Sequence, residues 1–245
     1  MGFIISAIKI IFLLGFLIFI HEGGHFIVAK LCKVKVNEFS IGFGPTILKK
    51  QAKETKYSLR LIPLGGYVSI EGEMENSNAE NAFNNASIPK RIAIVAAGAT
   101  VNIVFGTLLF AILISFIYRD IGVGLKATGN FIVTTVDGLR KLFIGQIGVK
   151  ELTGPIGISQ VVSDTHGVAQ YLYIMSVISV SLGITNLLPI PALDGGKIFI
   201  LLIEAIRRKP LKENIEIQIQ MIGFSFLIAM SLYVTYNDIL KAIHH

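Results

Sequence analysis

Two histidines and a glutamate, His21-Glu22-Gly23-Gly24-His25, sit inside an otherwise apolar run. On a helix, His-Glu-x-x-His places two imidazoles one turn apart on one face with a carboxylate beside them. That arrangement binds zinc and activates a water. The flanks define the setting. Phe3 to Ile20 carries one charge, Lys9, and Phe26 to Ala29 continues the run, whereas a surface helix of a soluble enzyme is amphipathic. Ionisable groups at membrane depth are costly and mark function by default. Motif and setting together point to metal-dependent peptide chemistry inside a bilayer. Glu22 reads as the general base, because a buried carboxylate paired with a lysine would give its flanking histidines no purpose.

A catalytic zinc takes three protein ligands and keeps one position open. The third ligand must come from a segment that returns to the same depth. Asp194 is the candidate, within Asn186-Leu187-Leu188-Pro189-Ile190-Pro191-Ala192-Leu193-Asp194-Gly195-Gly196. Pro189 and Pro191 interrupt a helix there, and irregular backbone at membrane depth is tolerated where it lines a polar cavity. His166 falls on the opposite side of the membrane and is set aside. Cys32 is the single cysteine, which excludes an intramolecular disulfide and a cysteine-based metal site.

The elements that must position these groups follow from composition. The 245 residues are 53% hydrophobic and 16% charged, with a mean hydropathy of +0.69, against about a quarter charged in soluble domains. The net charge of +6 is gathered in particular loops, so no nucleic-acid partner is expected; the lipid bilayer is. The expected fold is an all-α polytopic membrane protein. It has four transmembrane helices, at about 3–29, 91–117, 168–188 and 217–236, in a single transmembrane peptidase domain over 1–245. The first span lacks a basic leader and a small-residue cleavage site and is read as retained. Lysines and arginines crowd the first and third loops, which puts those loops in the cytoplasm and both termini outside. At 1.5 Å per residue, His21 is about 27 Å from Phe3, near the cytoplasmic boundary.

Partial alternation over Val34 to Ile41 and Tyr57 to Ile62, around the turn cluster Gly42-Phe43-Gly44-Pro45, predicts a small membrane-associated β-hairpin element at about 34–70. Within the external segment 118–167, Val133 to Phe143 reads as a short amphipathic helix. Leu152-Thr153-Gly154-Pro155-Ile156-Gly157 reads as a turn-rich entry to the third span. Ile198 to Arg207 reads as an interfacial helix.

His21 to His25 with Asn186 to Gly196 resembles the site-2 protease family of intramembrane zinc metalloproteases. The resemblance extends over Gly42 to Pro45, Arg60-Leu61-Ile62-Pro63-Leu64-Gly65-Gly66-Tyr67-Val68 and Leu152 to Gly157, and so over most of the chain. It is nearest to the bacterial subgroup typified by the regulator-of-sigma-E protease. It implies that His21, His25 and Asp194 hold Zn2+ and that Glu22 is the base. It also implies that the β-element, with Gly65 and Gly66, holds substrate extended. Asn186 falls where the family contacts substrate or the oxyanion; interhelical hydrogen bonding is its other reading. Asn102, four residues after Gly98, is read first as helix packing and second as a substrate contact. Gly23 and Gly24 are read as letting another backbone approach.

The implied substrates are single-span membrane proteins of the anti-sigma-factor or remnant-signal-peptide type. They would be cut near the cytoplasmic boundary of a bacterial inner (plasma) membrane after another protease has trimmed them. Members of that subgroup carry PDZ domains between the second and third spans. The roughly fifty residues present there are too few for one, which leaves 118–167 as a steric gate. Oligomeric state is open. A zinc carrier or receptor-like module without peptidase activity is the alternative of another class.

Overall fold

The computed structural model describes residues 2–148 and 153–244; Lys150, Leu152 and His245 lie outside them. The elements run α1 (Gly2–Leu31), β1 (Val36–Ala52), β2 (Thr55–Ile70), a 3-10 turn (Phe83–Asn85), α2 (Ile88–Tyr118), α3 (Ile121–Phe143), α4 (Pro155–Ser163), α5 (Gly167–Asn186), α6 (Asp194–Arg207) and α7 (Glu213–His244). Four of the helices, α1, α2, α5 and α7, are long and apolar enough to cross a membrane. Their exposed faces are apolar too, with Ile4, Ile8, Phe12, Leu108, Ile112 and Phe116 all open to the surroundings, as expected of helices whose solvent is lipid.

The chain forms two compact units. One comprises Ile11–Asn102 and Thr185–Phe224. Its core is Ala29, Val34, Val36, Ile70, Phe83, Ile94, Val95 and Leu201, which joins the end of α1, the base of the β-element, the start of α2 and the middle of α6. The β-element is one antiparallel pair of long strands that folds back on itself. Phe39 pairs with both Val68 and Tyr57, so residues 38–41 lie between the two halves of β2. This is a more compact arrangement than separate short hairpins.

Arg60 clamps the fold of that element. Its guanidinium donates to Ser40 Oγ (2.9 Å), the Gly44 carbonyl (2.9 Å), Glu38 Oε1 (3.0 Å) and Tyr67 Oη (2.6 Å). One side chain therefore ties together residues from three separate runs of strand. Lys56 adds a second cation on Glu38, 3.2 Å away. The strand also lies along the apolar helix: a Cβ on Gly15 would stand 2.6 Å from the Pro63 carbonyl oxygen. Gly15 is about 10 Å up α1 from Glu22 at helical rise, so the β-element runs alongside the spanning helix.

The other unit comprises Met1–Ile10, Ile103–Ile184 and Ser225–His245. The amphipathic helix predicted from Val133 begins twelve residues earlier, at Ile121, where the Asp120 carboxylate caps the Gly122 and Val123 amides. Phe131 of this helix stacks on Phe110 of α2, with ring centroids 4.6 Å apart. Thr153 to Gly157 leads into a helix of its own, α4. The buried Asp238 carboxylate of α7 receives the Gly157 amide at 2.9 Å, an anion at a helix N-terminus. Lys9 is tethered: its ammonium donates to the carbonyl (2.9 Å) and hydroxyl (3.2 Å) of Thr165.

The β-element predicts a pH dependence. Burial opposes charge on Glu38, but its polar neighbours Ser58, Arg60, Lys56 and Tyr67 outweigh that and hold its carboxyl down to about 2. A carboxyl depressed on folding stabilises the fold above its ordinary pKa, and the contribution is lost as pH falls through the folded value. The difference in thermal unfolding temperature between wild type and Glu38→Gln is therefore expected to be full above pH 4.5 and to shrink steadily below it.

Candidate metal and catalytic site

The His21-to-His25 motif occupies the C-terminal half of α1, so both imidazoles leave the same helix face one turn apart. His25 Nε2 lies 3.2 Å from His21 Nε2. Asp194, the first residue of α6, brings Oδ2 to 3.3 Å from His21 Nε2 and 3.6 Å from His25 Nε2. Among the described residues this is the single group of three or more His, Cys, Asp or Glu side chains with metal-ligand spacing. His166 is not in it.

The donor set fits a tetrahedral cation. Zinc bonds of about 2.0–2.2 Å give donor–donor edges of about 3.3–3.6 Å in a tetrahedron, which the three separations match closely. Protonation points the same way. His25 Nδ1 is 2.8 Å from the Ile94 carbonyl, which only accepts. Nδ1 therefore carries the hydrogen, and Nε2 of the neutral ring presents a lone pair to the other donors. Asp194 Oδ2 is buried with no hydrogen-bond partner, as a carboxylate oxygen kept for a cation would be.

Asp194 reaches this point because the chain between α5 and α6 is short and strongly turned. Leu193 N–H bonds to the Ile190 carbonyl at 3.1 Å and Gly196 N–H to that of Leu193 at 3.0 Å. Gly195 and Gly196 seat directly on the carbonyls of Leu187, Leu188 and Ile190. Ala192 takes a left-handed backbone, φ 72°, and its amide is held by the Gln220 side chain of α7.

Glu22 faces a cavity of about 740 Å³ that it lines with His21, His25, Asp194, Tyr67, Val68 and Lys197, among others. The Val68 amide donates to Glu22 Oε2 at 3.1 Å, so the β-element binds this carboxylate directly through its backbone. Lys197, one turn after Asp194, donates to the Glu73 carboxylate at 3.0 Å and its carbonyl at 3.3 Å. It thereby holds the segment after β2 against the cavity.

Several predicted residues fall elsewhere. Asn186 ends α5, half-buried, and does not line this cavity. Gly65 and Gly66 do not line it either. A Cβ on Gly66 would meet the Ser40 carbonyl oxygen at 2.6 Å, and one on Gly65, whose φ is 128°, would strike the Phe43 ring. Their places are set by β1, and it is Tyr67 and Val68 that reach the site. Asn102 is wholly buried, with its carboxamide 3.3 Å from His21 Nδ1. Gly24 meets the backbone of α2 as expected, but Gly23 has open space in place of the neighbour predicted for it. Sequence reasoning gave Val68, Ile94, Gly98 and Lys197 no role at this site. Val68 carried a signal as part of the Gly65-Gly66-Tyr67-Val68 run, and Gly98 as the small residue four before Asn102.

Comparison with known proteins places the chain in a family. The model for peptidase family M50 matches residues 9–230, and the chain belongs to that family, a metalloprotease of the site-2 type built as a multi-pass membrane protein. A protein of Clostridium acetobutylicum is 28% identical over 325 aligned positions, covering 94% of this chain and 96% of its own length. One from Fusobacterium nucleatum is 27% identical over 341, covering 98% and 99%. One from Helicobacter pylori is 27% identical over 343, covering 94% and 98%. Each bears a provisional name as a zinc metalloprotease. These alignments exceed the 245 residues of this chain, so the relatives carry internal residues with no counterpart here. That agrees with the absence of a PDZ domain.

The two adjacent glycines give a paired prediction. A Cβ on Gly24 would stand 2.7 Å from the Ala97 carbonyl oxygen, and one on Gly23 would meet nothing within 4 Å. Gly24→Ala is expected to destabilise the protein by roughly 1–3 kcal/mol through overpacking. Gly23→Ala is expected to be neutral or stabilising by up to about 1 kcal/mol through helix propensity. Thermal unfolding in detergent distinguishes the two.

Proposed function

We propose that this protein is a zinc-dependent intramembrane endopeptidase that cuts single-span membrane proteins near the cytoplasmic boundary. His21, His25 and Asp194 hold the zinc and Glu22 is the general base. The observation that carries the reading is the convergence of two imidazole nitrogens and one carboxylate oxygen within 3.6 Å of one another, with Glu22 on the same cavity. The relatives' names support zinc as the metal.

Bound, zinc supplies Lewis-acid polarisation of the scissile carbonyl and makes water acidic enough to lose a proton near neutral pH. The rest falls to the chain's own groups. The Val68 amide fixes Glu22 through Oε2, which leaves Oε1 to take the proton of the attacking water. Glu22 then returns that proton to the amide nitrogen as the peptide bond breaks. Tyr67 to Ile70 line the same cavity, so an unwound substrate segment placed along β2 passes the base with its backbone extended.

A peptide bond within a helix is shielded by its own hydrogen bonds, so substrates need helix-weakening residues near the cut. Anti-sigma factors and remnant signal peptides, already trimmed by another protease, are the class this reading favours. The setting this reading favours is a bacterial inner membrane, and the lysine and arginine distribution supports an orientation with both termini outside.

Cleavage of a single-span reporter by purified protein in detergent tests this. Wild type is expected to cleave with about one zinc bound. Glu22→Gln is expected to lose about 10²- to 10⁴-fold in kcat, the usual contribution of a general base, with zinc content unchanged. Cleavage within a few-fold of wild type by Glu22→Gln would remove Glu22 from the mechanism.

A further inference from the structure

We propose that Gly98 and Asn102 of α2 are positioning residues of the metal centre, Gly98 by leaving the space into which both histidines project and Asn102 by holding the far side of the His21 ring. The inference rests on the zinc-site reading above and extends it to a helix that contributes no ligand.

Gly98 and Asn102 are four residues apart, so they share one face of α2, and both contact the histidine pair. A Cβ on Gly98 would stand 2.8 Å from His21 Nε2 and closer still to His25 Nε2. Those two atoms are the donors aimed at the cation. Any side chain at 98 therefore competes with the metal for its place.

Asn102 acts on the opposite edge of His21. A histidine that ligates through Nε2 must carry its proton on Nδ1 and benefits from an acceptor there, which fixes tautomer and ring plane. For His25 that acceptor is the Ile94 carbonyl, 2.8 Å from Nδ1. For His21 the group in that place is the Asn102 carboxamide, whose Nδ2 is 3.3 Å from Nδ1. A half-turn about χ2 puts Oδ1 at the same position. Ligation through Nε2 selects that rotamer, because only the oxygen can accept the Nδ1 proton. Both histidines are then held from behind by α2, one by its backbone and one by a side chain. The wholly buried Asn102 has a function beyond helix packing.

The test is zinc affinity, measured by competition with a chromophoric chelator in detergent, together with the d–d spectrum of Co2+-loaded protein. Wild type, Asn102→Leu and Asn102→Asp are compared, with thermal unfolding of each metal-free form. Asn102→Leu preserves volume without an acceptor and is expected to weaken zinc binding about 10- to 100-fold, the usual effect of losing such a partner, and to alter the Co2+ spectrum. Asn102→Asp restores an oxygen acceptor and is expected to recover affinity to within a few-fold of wild type. A packing role alone would move both unfolding temperatures and leave both affinities and spectra as in wild type; that result overturns the assignment of Asn102.

Gly98→Ala is expected to lose more than about 100-fold in zinc affinity, beyond the usual effect of losing an outer-shell partner, while the metal-free form still unfolds cooperatively, with the histidine rings swung aside to admit the methyl group. Wild-type affinity in Gly98→Ala overturns the assignment of Gly98. His25→Ala separates failure of the α2 assignment from failure of the zinc site: if it binds zinc as wild type does, the metal site itself is wrong, whatever the α2 variants show.

Discussion

Two imidazole nitrogens and a carboxylate oxygen lie 3.2 to 3.6 Å apart, and as lone-pair donors they repel unless positive charge, a proton or a metal ion, lies among them. That constraint governs the site, because three ionisable groups partly withdrawn from solvent must be satisfied together. The Ile94 carbonyl removes the simplest escape, a proton on His25 Nε2 of the neutral ring, by taking the proton to Nδ1. A metal cation held there would take electron pairs from two helices, α1 and α6, which are far apart in sequence.

Bringing those donors together requires close approach of backbones, and the sequence supplies it with small residues at the contacts. Gly24 lets α1 meet the Ala97 carbonyl of α2, and Gly98 of α2 gives the histidines their room. The proline-interrupted run before Asp194 accepts a left-handed residue at Ala192, and Gln220 offsets part of that cost by receiving its amide. The β-element serves the same centre from another side. Arg60 holds three runs of strand in register, which fixes Tyr67 and Val68, and Val68 fixes Glu22. A long-range network of side chains thus ends on the single backbone amide that holds Glu22.

The grouping of His21, Glu22, His25 and Asp194 was legible in the sequence because it is written in residue types at short spacing. His21, Glu22 and His25 are separated by single helical steps. Asp194 stands in a run of prolines and glycines that breaks the helix at membrane depth, where irregular backbone persists only around a polar cavity or within protein. The four spans were legible because about twenty apolar residues in a row have one stable conformation in lipid. Contacts between distant segments were not legible. Nothing near Val68 indicates Glu22, and nothing near Asn102 indicates His21. The early start of α3 was hidden as well: Gly122, Gly124, Gly129 and a run of β-branched residues are poor helix formers. The helix is set instead by its Asp120 cap and by Phe131 on Phe110. Gly65 and Gly66 adjoin the site in sequence, and their close approach to β1 explains why both are glycine.

Zinc K-edge X-ray absorption of the purified, zinc-loaded protein tests the central claim most directly. Two imidazoles and one carboxylate are expected within a four-coordinate shell of nitrogen and oxygen at about 2.0–2.2 Å, with the imidazole multiple-scattering signal halved in His25→Ala. A shell containing sulfur, six-fold coordination, or an imidazole signal unchanged in His25→Ala would contradict a zinc held by His21, His25 and Asp194.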